Sequence, residues 1–326
     1  MNACFLPVDK PAGVTSHDVV AMLKSVTGAA KVGHTGTLDP FATGVLALAF
    51  EGATRLISYL DEDLKVYDAT IALGAATDTG DPTGQVIRSA EIPALSDADI
   101  AEVLGRFKGV MMQAPPRYSA VKVQGRPLYS YARAGEDVEA APRPTRIDEI
   151  SLTERGPDWL RVLITCGRGT YARVLADEIG TALGTAGHLS ALRRTRTGIF
   201  DLSRALRLED LAQLVAGISD WERALRPSRG PDRVRWAPRD TVRAGLERYA
   251  VRPLDALSHL PIAPLRPGER LGSGLLPMAP AAAVGDTYLV VQGQEVMGIA
   301  VREPRGPRLV RALTDGPGTS GRPHAR

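Results

Sequence analysis

Apolar residues recur at helical spacing after Thr15. Val19, Val20, Leu23 and Val26 form one stripe, the pattern of a helix with a single buried face. Thr15 and Asp18 stand at capping-box spacing ahead of it, and Gly28 ends it. Val45 to Phe50 is a short continuous apolar run and reads as a core strand. Val66 to Leu73 alternates instead, with Tyr67, Ala69, Ile71 and Leu73 on one face, as in a half-buried strand. Ser96-Asp97-Ala98-Asp99 opens a second helix, closed near Gly109. Val121 to Val123, Gln124-Gly125 and Pro127–Ala134 read as strand, turn and short helix. Trp159 to Cys166 is a strong strand, and Thr170 is placed to cap a helix from Tyr171 to about Leu183. Helices and strands without regular βαβ alternation predict an α+β fold with a mixed or mainly antiparallel sheet.

The pattern changes further on. Pro227 to about Leu246 is rich in Pro, Arg, Gly and Asp with weak periodicity, and reads as a linker or insertion. Tyr288–Gln292, Glu295–Arg302 and Arg308–Leu313 look like three short strands joined by Gly/Pro turns. Thr314 to Arg326 reads as a disordered tail. The expected organisation is a main domain over 1–226, a linker over 227–247, a small β-rich domain over 248–313, and the tail.

Composition adds bounds. With 326 residues, 44% apolar and 24% charged, the chain suits one large domain and one small one in a soluble protein. It has no run near the roughly 18–20 apolar residues of a membrane span, and its amino terminus shows no secretory pattern. Two distant cysteines, Cys4 and Cys166, argue against a disulfide framework and fit a reducing compartment. Net charge is +3 but uneven: residues 1–100 carry 6 Lys and Arg against 13 Asp and Glu, and the rest carry 34 against 24. Arginine dominates the basic set after position 122, as suits phosphate recognition, although codon bias produces the same composition.

Candidate chemistry centres on Val32 to Leu46, VGHTGTLDPFATGVL. One carboxylate, Asp39, sits before a proline in a Gly/Thr-rich loop. Gly33, Gly36 and Gly44 permit positive φ, and Pro40 fixes its own. Such a loop can hold a reactive carboxylate rigidly at the end of a core strand, or can simply make a turn. Asp78 and Asp81, with Thr77 and Thr79, offer oxygens at a spacing compatible with a hard cation. They lack an EF-hand pattern, and a Gly/Asp turn is the preferred reading. No phosphate-binding or dinucleotide glycine motif occurs in a strand-to-helix context.

The loop belongs to a series of five ordered blocks between about Pro7 and Phe200: KPAGVTSHDVV from Lys10, GHTGTLDPFATGVL from Gly33, KVYDATIALGAATDTGDPTG from Lys65, PPRYSAVKVQGRPLYSYARAG from Pro115, and CGRGTYARVLADEIG with HLSALRRTRTGIF from Cys166 and His188. Together they resemble the bacterial tRNA pseudouridine-55 synthases. The resemblance implies a catalytic cleft across a central mixed sheet, a mobile RNA-clamping insertion over about 115–146, and a small PUA-type RNA-binding domain at the carboxy terminus. The last region matches only loosely, the 227–247 segment is longer than usual, and Ala172 replaces a commoner branched residue.

By this resemblance Asp39 is the nucleophile that breaks and remakes the glycosidic bond of a flipped-out uridine. Arg173 is its ion-pair partner, keeping the carboxylate charged where burial disfavours it. Tyr67 stacks on the uracil, with its hydroxyl a candidate for moving the C5 proton; ordinary core packing is its alternative. Tyr171 is a second wall of the pocket, and Leu192 closes it behind the base. His34 takes the place of the flipped base; the alternative is a histidine hydrogen-bonded within its loop. Lys10 holds backbone carbonyls of the catalytic loop, or approaches phosphate. Isomerisation gains and loses no atoms, so neither cofactor nor metal is expected. The implied partner is the T-arm stem-loop of tRNA, with a cytoplasmic monomer and no protein partner. Two other classes remain open: a tRNA-folding helper whose catalysis is secondary, and a metal-dependent nuclease or phosphatase built on Asp78 and Asp81.

Overall fold

The structure, a computed structural model, describes residues 2–61, 64–225, 235–266, 269, 271 and 276–313. In chain order its elements are β1 (Cys4–Lys10), α1 (Ser16–Thr27), β2 (Val32–His34), β3 (Thr43–Phe50), a 3-10 stretch (Glu51–Tyr59) and β4 (Lys65–Leu73). Next come β5 (Ala75–Thr77), β6 (Val86–Ser89), α2 (Asp97–Gly105), β7 (Gly109–Gln113), β8 (Lys122–Val123), β9 (Arg126–Pro127) and α3 (Leu128–Arg133). They are followed by β10 (Arg143–Arg155), β11 (Trp159–Cys166), α4 (Ala172–Ala182), β12 (Gly187–Thr197), β13 (Phe200–Asp201) and β14 (Leu206–Arg207). The chain continues through α5 (Leu208–Ala216), α6 (Trp221–Leu225), α7 (Arg239–Leu246) and α8 (Pro253–Ala256) to β15 (Ile262–Pro264), β16 (Thr287–Gln292), β17 (Glu295–Glu303) and β18 (Gly306–Ala312).

The main sheet runs β14-β1-β3-β12-β4-β11-β10-β7, with β2 beside β3 and β13 beside β12. β1 pairs β14 and β3 pairs β12 in parallel; the other neighbours are antiparallel. This is the expected α+β architecture with a mixed, mainly antiparallel sheet. β3 is buried on both faces, which explains why its sequence is apolar throughout rather than alternating. Leu46, Leu48 and Phe50 join a core with α1, α2, α4 and α5. Val45, Ala47 and Ala49 join a second core on the other face, with Phe5, Leu56, Val251, Leu289 and Ile299. β4, covered on one face, alternates as its sequence predicts.

Local signals account for the helix ends. Thr15 accepts from the Asp18 backbone while Asp18 accepts from Thr15, and Gly28 closes α1 in the left-handed region. Ser96 and Asp99 form the same box on α2, which ends at Gly105, earlier than expected. Thr170 does not cap α4. Its hydroxyl pairs with Thr145 and Gly167 instead, so Tyr171 occupies the cap position and Arg173 is the second helical residue. Of Gly33, Gly36 and Gly44, only Gly44 has positive φ, at 101°. A Cβ there would lie 2.1 Å from the Arg194 carbonyl, so glycine permits β3 and β12 to meet.

The segment expected as a linker is partly helical. Residues 227–234 lie outside the described residues, but α7 follows, with Val242 and Leu246 in the main core. Arg243 donates from α7 to the Thr27 carbonyl at the end of α1, 2.9 Å away, where a cation is favoured. Two apolar positions one helical turn apart were too few to register as periodicity. Beyond it, β16, β17 and β18 match the three expected strands. A fourth, β15, joins them in parallel; three residues so far from their neighbour carry no pattern. The expected tail, 314–326, lies outside the described residues.

Candidate active site

The loop between β2 and β3 is tied down on both sides of Asp39. The Ser16 hydroxyl donates to the Leu38 carbonyl and accepts from the Leu38 N–H, at 3.0 and 2.9 Å. The Pro40 carbonyl accepts from the Gly13 N–H at 2.9 Å. Lys10, fully buried, donates to the carbonyls of Pro11, Val14 and Pro40. Burial lowers its ammonium to about 8, against the pull of Asp39. Asp39 therefore has little freedom beyond its own rotamer.

Arg173 enters from α4. Its Nε lies 2.9 Å from Asp39 Oδ2, and the pair is asymmetric in burial: side-chain exposure is 8% for the arginine and 34% for the aspartate. Nη1 donates to the Thr79 carbonyl and Nη2 to the Tyr118 carbonyl, each at 2.9 Å, and Nη2 also reaches Asp39 Oδ1 at 3.4 Å. A cation near a helix amino terminus is poorly placed for the helix, and these acceptors with Asp39 offset that. Burial pushes the Asp39 carboxyl above its ordinary value, while Arg173 and Lys10 pull it down and Asp81 adds a further upward push.

A cleft of about 590 Å³ opens over this pair. Asp39, Tyr67, Tyr171, Leu192 and Arg173 all line it, together with Lys65, Tyr118, Ser119, Tyr129 and Arg194. Five of the seven expected site residues thus converge from β4, β12, α4 and two loops. Lys10 sits beneath, holding the loop. His34 is not among the lining residues. Its Nδ1 is buried and has no partner among the described residues, which removes the loop hydrogen bond at that nitrogen. Burial, Arg194 and His17 all hold His34 toward its neutral form.

A larger hollow, about 790 Å³, lies among Asp68, Thr70, Glu154 and Arg161. Asp68 and Thr70 of β4 alternate with Tyr67 and so project from the other face of the sheet. Asp68 and Arg161 there satisfy each other through two hydrogen bonds, and no expected site residue but Leu192 reaches it. The Asp81 carboxylate accepts from Thr79, Thr83 N–H and the Thr83 hydroxyl, and Asp78 accepts from Gln85 N–H. Both acids therefore serve the turn.

Three contributors escaped the sequence reading. Arg194, 1% exposed, donates to the carbonyls of Val45 and Gly36 and faces the Tyr67 hydroxyl, pulling it down against burial. It stands two residues from Leu192 on β12, a strand that the hydrophobic pattern did not mark. Ser16 has no pattern beyond its place in a capping sequence. Gln113, buried at the end of β7, accepts from the Tyr171 N–H at 3.0 Å; nothing in the sequence marks that contact.

The insertion between β7 and β10 interleaves basic residues with aromatics. Arg126 lies 4.3 Å from the Tyr131 ring centre and pairs with Glu136; Arg133 lies over Tyr129, and Arg117 pairs with Asp137. These ion pairs are exposed, and pairs of that kind are weak enough to yield to a stronger anion.

The site is an aspartate clamped by a buried arginine under an aromatic cleft on a mixed sheet, and among the described residues no group of three or more His, Cys, Asp or Glu could hold a metal ion. Comparison with known proteins gives its lineage. Residues 24–172 match the TruB family pseudouridylate synthase amino-terminal domain, and residues 173–228 match the tRNA pseudouridylate synthase B carboxy-terminal domain. The protein named tRNA pseudouridine synthase B of Geobacter sulfurreducens is 40% identical over 84% of this chain and 82% of its own. Its namesake from Francisella tularensis subsp. tularensis is 48% identical over 64% of this chain and 69% of its own. The chain belongs to the TruB family of pseudouridylate synthases. Among solved structures, a Cbf5-Nop10-Gar1 complex contains a chain that aligns with TM-score 0.64 at 24% identity, over 96% of this chain and 84% of that one. An archaeal box H/ACA sRNP Nop10-Cbf5 complex contains another, with TM-score 0.64 at 22% identity over 95% and 86%. These two likenesses concern the fold.

Proposed function

We propose that this enzyme isomerises uridine 55 in the T-loop of tRNA to pseudouridine, with Asp39 as nucleophile. The observation that carries the reading is the Asp39–Arg173 pair at the base of a cleft walled by Tyr67, Tyr171 and Leu192. The reaction breaks the bond from uracil N1 to C1′, turns the base, and joins C5 to C1′. The C5 proton leaves and N1 ends protonated, so the product is an isomer. Attack by Asp39 at C6 of the base and at C1′ of the sugar both fit this geometry.

Each residue then has a task. Arg173 favours the carboxylate form of Asp39, and Lys10 holds the loop. Tyr67 stacks on the uracil and its hydroxyl helps carry the C5 proton. Tyr171 and Leu192 complete the pocket. The base reaches the cleft by extrusion from the folded loop, at a cost of a few kcal/mol in unstacking. His34, held toward its neutral form and with Nδ1 unpartnered among the described residues, fills its place. The insertion grips the T-arm through Arg117, Lys122, Arg126 and Arg133 by shape and phosphate contact. The carboxy-terminal sheet acts as a PUA-like module for the rest of the tRNA. The enzyme works as a cytoplasmic monomer.

The test is position mapping on a tRNA transcript incubated with the enzyme. Pseudouridine should appear at position 55 and nowhere else, and be absent when that uridine is replaced by cytidine. Modification elsewhere, or in the replaced transcript, would contradict the site assignment.

A further inference from the structure

Three buried side-chain polar atoms lack a hydrogen-bond partner among the described residues: His34 Nδ1, Thr35 Oγ1 and Ser119 Oγ. The first two belong to the Asp39 loop. Ser119 comes from the insertion, is 8% exposed, and lines the same cleft as Asp39, Tyr67 and Tyr171. A buried hydroxyl without a partner costs stability, so its persistence at a site calls for a ligand that satisfies it.

The Ser119 backbone is anchored on both sides. The Tyr118 carbonyl accepts from Arg173 at 2.9 Å. The Ser119 carbonyl accepts from the Tyr129 N–H at 3.1 Å. The first anchor is the guanidinium that grips Asp39, so the backbone carrying the hydroxyl is held relative to that carboxylate. The cations around the cleft are meanwhile engaged with protein. Arg173 serves Asp39, Thr79 and Tyr118; Arg194 serves Val45 and Gly36; Lys10 serves three carbonyls. The Ser119 hydroxyl is a polar group of this cleft that no protein atom among the described residues engages.

We propose that the Ser119 hydroxyl positions the target uridine by a hydrogen bond to an oxygen flanking its glycosidic bond, either uracil O2 or the ribose 2′-hydroxyl. The inference rests on the reading that Asp39 attacks this uridine. Both chemical routes bring the glycosidic bond against Asp39, and these two oxygens are that bond's polar neighbours. A serine hydroxyl donates to either one and accepts from the second.

The experiment compares the full-length wild type with Ser119→Ala. Single-turnover conversion of a T-arm stem-loop should fall about fivefold, the worth of one neutral hydrogen bond. Affinity is measured alongside for two stem-loops, one with uridine and one with an abasic 2′-deoxyribose at the target, which lacks both oxygens. The variant should bind the uridine stem-loop several-fold more weakly and the abasic one equally well. A variant matching the wild type in rate and both affinities, or one weakened equally on both RNAs, would overturn the proposal. A stem-loop with 2′-deoxyuridine names the oxygen: a persisting difference in affinity assigns uracil O2, and a vanished one assigns the 2′-hydroxyl. Failure of the wild type itself to convert the stem-loop would sink the uridine reading, while the affinity comparison judges Ser119 separately.

Discussion

Asp39 is held between opposing influences. Burial raises its carboxyl above the ordinary 3.8, and Arg173 and Lys10 oppose that rise. A nucleophilic aspartate works only when ionised, so kcat/KM should climb with pH through this raised value. Removing the arginine takes away the strongest pull toward the charged form. In Arg173→Met the acid limb should therefore move to higher pH, and Arg173→Lys should move it less. Single-turnover rates across the acid range measure the limb; one that stays in place would free Arg173 of this role. At this scale the site residues were legible through the five blocks that resemble a known family, while local signals alone placed Asp39 in a glycine-rich loop and Tyr67 on a strand. Arg194, Ser16 and Gln113 were not legible. Their roles are hydrogen bonds to distant backbone, and a buried arginine on a strand looks like a surface charge until its partners are known.

At the scale of elements, the meeting of β3 and β12 carries the site, since it sets Arg194 and Leu192 against the Asp39 loop. Gly44 permits that meeting. Gly44→Ala should lose at least about 3 kcal/mol, from a strained φ together with an overpacked contact. Its denaturant midpoint should fall and its activity with it; a stable Gly44→Ala would mean that the two strands pair more loosely than this. Capping boxes and strand alternation located α1, α2 and β4 because those signals are local. The start of α4 was misread for the opposite reason: Thr170 finds a better partner in Thr145, far along the chain. α7 was missed because its stability comes from docking on α1 and α5, not from its own sequence.

The whole molecule is knit more closely than a two-domain plan with a linker implies. Leu289, Val291, Val296 and Ile299 of the carboxy-terminal sheet share a core with Phe5, Val45 and Leu56 of the main body. Deleting residues 262–326 should therefore destabilise the catalytic sheet as well as remove a module. The expected loss is several kcal/mol, at about 1.5–3 kcal/mol for each large side chain fully uncovered. It would appear as a lower thermal midpoint and new binding of an apolar dye. An unchanged midpoint would restore the picture of independent domains. Domain boundaries were the least legible feature, because composition shows where a chain changes character and not which faces pack together.

The most direct measurement is tritium release from a tRNA labelled at C5 of its uridines, for the wild type and Asp39→Asn. Release by the wild type alone, with tRNA affinity of the variant within a few fold, is the predicted result. Release by Asp39→Asn at a comparable rate would contradict the assignment of Asp39 as the nucleophile.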